Sequence, residues 1–330
     1  MKLHLSLFYF LIFKKKIILI NSPLQFINFL EYKDLYLRTE SNFKTFKVII
    51  LNSSKRDISY IEEITRFLNV KIDNIIFLKS KILIKLFVTI SILIRKIFSF
   101  RIDQLIIGDY ANKYFIEFYK LSHSTIFLDD GTNALDFKIS SFVNKKKISI
   151  FTIFDKKIFN FKNILLNNLD LLKSKIVTQK KNKKIYILGS SGVERNFFLK
   201  VHYNFYLQYL RNRYKSCELY YFPHPKEKKD NYQKYSYFKI IETRLPIELH
   251  LIKNKYYPMR IIGWNSTAFI LIKKLYNTKI ELLNFNLKVE KQYLTTHYLE
   301  HVQERVFKVI DYFYKYLKIK TIYIVYKKRD

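Results

Sequence analysis

The chain has 330 residues, 49% of them hydrophobic, and carries 60 Lys and Arg against 27 Asp and Glu, a formal charge of +33. That apolar content excludes a disordered chain and suits one large domain or two of ordinary size. The charge asks for an anionic partner, whether nucleic acid, an anionic membrane face or an anionic small substrate, and a single cysteine, Cys217, excludes an intrachain disulfide and a cysteine-rich zinc site.

The first apolar stretch, residues 3–13, is too short for a comfortable membrane span. Its lysines follow the apolar run and no small-residue cleavage site is evident, which argues against a signal peptide. An interfacial anchor, an extra strand, or translation from an early start codon would each account for it.

Residues 15–25, KKIILINSPLQ, read as a buried strand entering a loop, with Pro23 fit to open a helix. Residues 46–54 read as a second strand, 57–70 as an amphipathic helix and 71–79 as a third strand. Residues 82–98 form a helix pattern that is apolar around most of its surface, with Lys85, Arg95 and Lys96 and no acid. Such a helix is either a core or interface element or one that sinks into an anionic bilayer surface.

Strands at 105–107 and 125–128 end in Gly108-Asp109 and Asp129-Asp130-Gly131. A basic segment, 145–184, holds the domain boundary, dividing the chain into 1–175 and 176–330. Beyond it, KKIYILGSSG, CELYYFPHPKE, YFKIIETRLPIEL and MRIIGWNSTAFI each read as a strand running into a polar loop. A helix at 269–275, a late strand and a closing helix complete the chain.

Strand, loop and helix in repetition predict an α/β fold with parallel sheets, whose ligands meet the carboxyl ends of the strands. All five glycines, at 108, 131, 189, 192 and 263, fall at predicted strand ends or just beyond. There glycine permits close backbone approach or positive φ.

Three constellations could carry chemistry. In FLDDGT, Asp129 or Asp130 could take a proton from a sugar hydroxyl, or both could simply shape a turn. In YFPHP, the flanking Pro223 and Pro225 stiffen the loop that presents His224, which could stabilise a phosphate leaving group or serve structure alone. In IIGWNSTAF, Gly263 ends a strand, and Ser266 and Thr267 could cap the next helix or receive phosphate at its start. Glu248 in LPIEL could accept hydrogen bonds from a ribose. Asn21 in NSPLQ and Gly189-Ser190 in GSSG sit in similar polar loops.

Taken in order, NSPLQ, LDDGT, PHPKE, LPIE and GWNSTA resemble bacterial sialyltransferases of glycosyltransferase family 52, over residues 21–268. The resemblance implies two Rossmann-like domains facing across a cleft, the GT-B fold, with the acceptor side and base in 1–175 and the donor site in 176–330. It implies inverting transfer of sialic acid from CMP-sialic acid to a lipooligosaccharide, with no metal needed. His224 and Pro225 with Ser266 and Thr267 would serve the donor phosphate, and Glu248 the ribose. Asp129 or Asp130 would be the base, with Glu194 in GSSGVERN as a further candidate. CMP-Kdo or a UDP-sugar is the rival donor. A non-enzymatic basic protein that binds nucleic acid or membrane is the rival of another class, although no zinc-finger or aromatic ribonucleoprotein motif is present. The expected partners are a nucleotide sugar, an anionic glycolipid and an anionic membrane, without nucleic acid and with room for a homodimer. The expected location is the cytoplasmic face of a bacterial inner membrane.

Overall fold

The computed structural model describes residues 12–13, 15–37, 47–51, 55–70, 75–78, 81–136, 148–177, 180–195, 197–233, 235–276, 278–285 and 296–324. Apart from Ile12 and Phe13, the expectation for residues 3–13 lies outside them. The chain divides into two compact units, Met1–Lys175 and Ile176–Asp330.

The first unit is built on seven parallel strands: β1 (Lys16–Ile20), β2 (Lys47–Leu51), β3 (Ile75–Leu78), β4 (Ile102–Ile107), β5 (Ser122–Leu128), β6 (Ile148–Thr152) and β7 (Ile164–Leu166). They lie side by side in the order β3-β2-β1-β4-β5-β6-β7. Helices α1 (Pro23–Tyr36), α2 (Lys55–Leu68), α3 (Lys81–Ile97), α4 (Lys113–Lys120) and α5 (Asp170–Ser174) connect or follow them. The strands are near-continuous Ile, Leu and Val runs because helices cover a parallel sheet on both faces. Ile17, Leu19, Ile49, Leu105 and Ile107 meet Ile84, Val88 and Ile92 of α3 and Phe115 and Phe118 of α4 in one core.

The second unit repeats the plan with β8 (Lys180–Leu188), β9 (Glu218–Phe222), β10 (Lys239–Ile240), β11 (Tyr256–Gly263), β12 (Lys279–Phe285) and β13 (Lys320–Ile324). Their order is β10-β9-β8-β11-β12-β13, again all parallel. Its helices are α6 (Lys200–Arg213), α7 (Lys229–Tyr232), α8 (Ile247–Asn254), α9 (Ala268–Leu275) and α10 (Thr296–Lys315). Tyr203, Tyr206, Leu207 and Leu210 of α6 pack on Ile185, Ile187, Leu219 and Tyr221 of the sheet.

Each sheet starts at a central strand, builds to one side, then crosses to the other. The crossing falls between β1 and β4 in the first unit and between β8 and β11 in the second. Such a switch point leaves a crevice at the carboxyl ends of the two strands. The molecule is thus an α/β protein of two Rossmann-like, parallel-sheet domains.

Several local expectations need correcting. Within the segment 145–184, β6 and β7 extend the first sheet and α5 follows them, elements that the sequence reading did not place. The chain does not close on its last described helix; β13 follows α10 and pairs with β12. Glu248 lies within helix α8 rather than in a loop.

Candidate functional site

At the first switch point, Ser22 caps α1 by accepting from the Gln25 amide at 3.2 Å, with Pro23 opening the helix. The cap turns Gln25 back over the strand ends. Its Oε1 accepts from the Asn21 amide at 2.8 Å, and its Nε2 donates to Asp130 at 2.7 Å. Asn21 Nδ2 in turn donates to Asp109 at 2.9 Å. Glycine at 108 makes this arrangement feasible, since a Cβ there would stand 2.2 Å from Gln25 Oε1. Asn21, Gln25, Asp109 and Asp130 therefore form one polar cluster across the ends of β1, β4 and β5.

The two adjacent acids differ. Asp129 is buried, and its Oδ2 accepts from the Ile153 amide beyond β6 at 2.6 Å, which ties two strand ends together. Asp130 is half-buried and faces the cluster. Gly131, at φ 64, provides the left-handed residue that starts a short 3-10 turn.

At the second switch point, His224 follows β9 and is half-buried, while Pro225 is exposed. Its imidazole Nδ1 accepts from the Lys226 amide at 3.0 Å, which fixes the ring. Its own amide donates to Glu227 at 3.1 Å. Glu227 is buried and also receives the Tyr221 hydroxyl at 2.6 Å; that hydroxyl lies 2.9 Å from the hydroxyl of Tyr203. Desolvation, opposed by the Tyr221 hydroxyl and the His224 amide, pushes the Glu227 carboxyl up to about 7. Gly189 passes over this group so closely that a Cβ would lie 2.4 Å from Glu227 Oε2 and 2.8 Å from the His224 nitrogen.

Ser190 is buried and its hydroxyl accepts from the Gly192 amide at 3.1 Å. Glu194 holds the neighbouring turn, accepting from the Lys228 amide and from Asn231 Nδ2 through one oxygen. Its other oxygen is buried with no hydrogen-bond partner among the described residues. Gly263 closes β11 against Leu188, where an added Cβ would stand 3.0 Å from the Leu188 Cβ and carbonyl oxygen. Ser266 accepts from the Ala268 amide at 3.3 Å, whereas Thr267, the residue before α9, makes no side-chain cap. Asn265, just before Ser266, takes φ 28, and its Oδ1 is buried with no hydrogen-bond partner among the described residues. Strained non-glycine backbone of this kind concentrates at ligand-holding loops. Glu248 is buried in the first turn of α8, where a carboxylate complements the helix start, and desolvation pushes it up to about 7.

The structure thus gathers Asn21 and Asp130 in the first unit, and Gly189, Ser190 and His224 in the second. Gly263, Ser266 and Thr267 lie at the adjoining strand end, β11. Sequence reasoning passed over Gln25, Asp109, Glu227 and Asn265. Glu227 had a signal, since it stands three residues after the histidine in PHPKE. The others are recognised only through their spatial partners. Among the described residues no group of three or more His, Cys, Asp or Glu side chains could hold a metal ion. A depression of about 370 Å³ between α2 and β3, lined by Thr65, Arg66, Asn69 and Ile75, lies at the amino end of β3, away from the strand ends described above.

No family model and no curated protein matches the chain. Among solved structures it is similar to the S. aureus MnaA–UDP co-structure, at 12% identity and a TM-score of 0.52, over 92% of this chain and 89% of that one. It is also similar to a putative UDP-N-acetylglucosamine 2-epimerase from Listeria monocytogenes, at 12% identity and a TM-score of 0.48 over 90% and 88% of the two chains. A third is the UDP-GlcNAc 2-epimerase from Methanocaldococcus jannaschii, at 11% identity and a TM-score of 0.47 over 90% and 91%. The likeness to the UDP co-structure, with no family model or curated protein matching, overturns the resemblance to family 52 sialyltransferases, and with it sialyl transfer and CMP-sialic acid as donor. The physical reason lies in the motifs. A His-Pro loop after a strand, a Ser-Thr pair before a helix and an Asp-Asp-Gly turn suit any domain that gathers ligands at parallel-strand ends. They report the fold, which the chain shares with the GT-B-like protein of the UDP co-structure, and not the sugar carried.

Proposed function

We propose that the chain is an enzyme of UDP-sugars and that the change it makes is an epimerisation of the sugar. The likeness to a protein solved with UDP supports the nucleotide. The single observation that carries the reading to named residues is the arrangement at the second switch point. There His224, fixed by Lys226 and Glu227, stands beside the Gly189-Ser190 backbone. An imidazole held at its Nδ1 by the Lys226 amide, beside strand-end amides, suits a diphosphate. Asn265 Oδ1 offers a further buried acceptor beside Ser266. In the first unit Asp130 and Asp109 are carboxylates at strand ends, the residue type that removes and returns a proton at a sugar.

Epimerisation produces an isomer and consumes no acceptor, which makes it separable from transfer. The chain is incubated with UDP-N-acetylhexosamines alone and followed by proton NMR. The expected outcome is a second UDP-sugar at constant total nucleotide, with turnover in the His224→Ala variant lower by about ten- to a thousandfold. Absence of UDP binding by calorimetry, or turnover only when an acceptor sugar is supplied, overturns the reading.

A further inference from the structure

Helix α3 has two apolar faces, and only one is used by the core. Ile84, Val88 and Ile92 are buried against the sheet with Phe115 and Phe118. At 100° per residue, Ile82, Leu86, Leu93 and Ile97 fall together on the opposite side. These four are 79%, 51%, 55% and 65% exposed. An ordinary surface helix would place polar residues there.

The stripe continues past the helix. Ser99, at φ 55, ends α3 and lets the chain turn back, with the Phe100 amide donating to the Arg95 carbonyl at 2.9 Å. Phe98 then stacks on Phe100 at 5.8 Å, and Phe100 meets Phe13 at 5.6 Å. Phe98 is 63% exposed and Phe13 50%. Lys85 and Lys96 line one flank of the stripe and are exposed, and Arg101 follows the aromatic group. The helix contains no acid; the neighbouring acid is Glu117, which pairs with Lys96 and Lys120.

We propose that this face of α3, with Phe98, Phe100 and Phe13, docks on an anionic phospholipid bilayer. Charge complementarity selects the occupant. A second copy of the chain would bring another +33 and repel. Nucleic acid offers nothing for four exposed aliphatic side chains. A bilayer with anionic headgroups satisfies both features at once, taking the stripe into the acyl boundary and the lysines to the phosphates. The helix is about 25 Å long, and no described helix is long and apolar enough to cross a membrane, so α3 lies along the surface.

The test is flotation of the full chain with vesicles of phosphatidylcholine, or of phosphatidylcholine with phosphatidylglycerol, at low and high salt. The chain is expected to float with the anionic vesicles only, less so in high salt. The Leu86→Glu/Leu93→Glu variant, altered at exposed positions, is expected to lose at least tenfold of the bound fraction while keeping its melting temperature. Hydrogen exchange of the unaltered chain provides a readout that does not depend on the variant folding, with new protection at residues 82–100 on anionic vesicles. Equal flotation of the variant, indifference to lipid charge, or no protection at 82–100 overturns the proposal. So does a chain that self-associates through this face and ignores vesicles, since that assigns the stripe to a second copy. UDP binding is measured elsewhere on the molecule, so failure here leaves the UDP-sugar reading standing.

Discussion

Glu227 shows how one buried carboxylate can set the position of a loop. It accepts the Tyr221 hydroxyl through one oxygen and the His224 amide through the other, with Gly189 against it. Its pKa, pushed up to about 7 by burial, lies above the ordinary value of 4.5 for such a carboxyl. The folded chain therefore holds more protons at this group than the unfolded chain between those two values. The group's contribution is most favourable below about 4.5 and is lost as pH rises through about 7. The Glu227→Gln variant cannot titrate there. The stability difference between parent and variant is expected to move against the parent by at most about 3 kcal/mol from pH 4 to 8, read from urea melts. A difference that does not change with pH would mean that the carboxylate is solvated. At the same point Gly189→Ala must displace Glu227 and the His224 backbone. It is expected to cost roughly 1–3 kcal/mol and to weaken UDP binding as the histidine shifts. Gly263→Ala, whose tightest contact would be 3.0 Å, is expected to cost less.

Between elements, the tie that matters most in the first unit is Glu31. It sits on α1, yet its carboxylate accepts from the Leu171 and Leu172 amides in the first turn of α5. That holds a five-residue helix which could not stand alone. Glu31→Ala leaves two helix-start amides unsatisfied, and a loss of about 2–4 kcal/mol is expected in chemical denaturation. Where apolar runs were long and closed by turn residues, the sequence alone placed the elements: β1 ends at Asn-Ser-Pro, and β9 at Pro-His-Pro. Where runs were short or lay among lysines, it did not. Ile148–Thr152 follows three lysines, Ile164–Leu166 is three residues long, and Lys320–Ile324 is a short edge strand that begins among Lys318 and Lys320. His224 was legible because two prolines mark it. Gln25 and Asn265 were not, since one owes its position to the space above Gly108 and the other to a backbone twist. The sugar was illegible for a related reason: the motifs that suggested one are common to strand ends in such folds.

For the whole molecule, two features of the second unit lead to the last prediction. Residues 176–330 hold their own six-stranded sheet and core, and every residue assigned here to the nucleotide, from Gly189 to Ser266, lies at the carboxyl ends of β8, β9 and β11. The charge of +33 adds a field that attracts UDP but does not itself choose among anions. If the strand-end geometry is what selects, residues 176–330 expressed alone should bind UDP within about tenfold of the full chain, a difference of about 1.4 kcal/mol. Residues 1–175, equally rich in lysine, should not bind it. Calorimetry at two salt concentrations separates the contributions. Binding by geometry saturates at one site and keeps most of its affinity in salt, while attraction by charge alone is screened away. UDP binding of equal strength to both halves, lost together in salt, would remove the second switch point from the account and leave the basic surface as the whole cause.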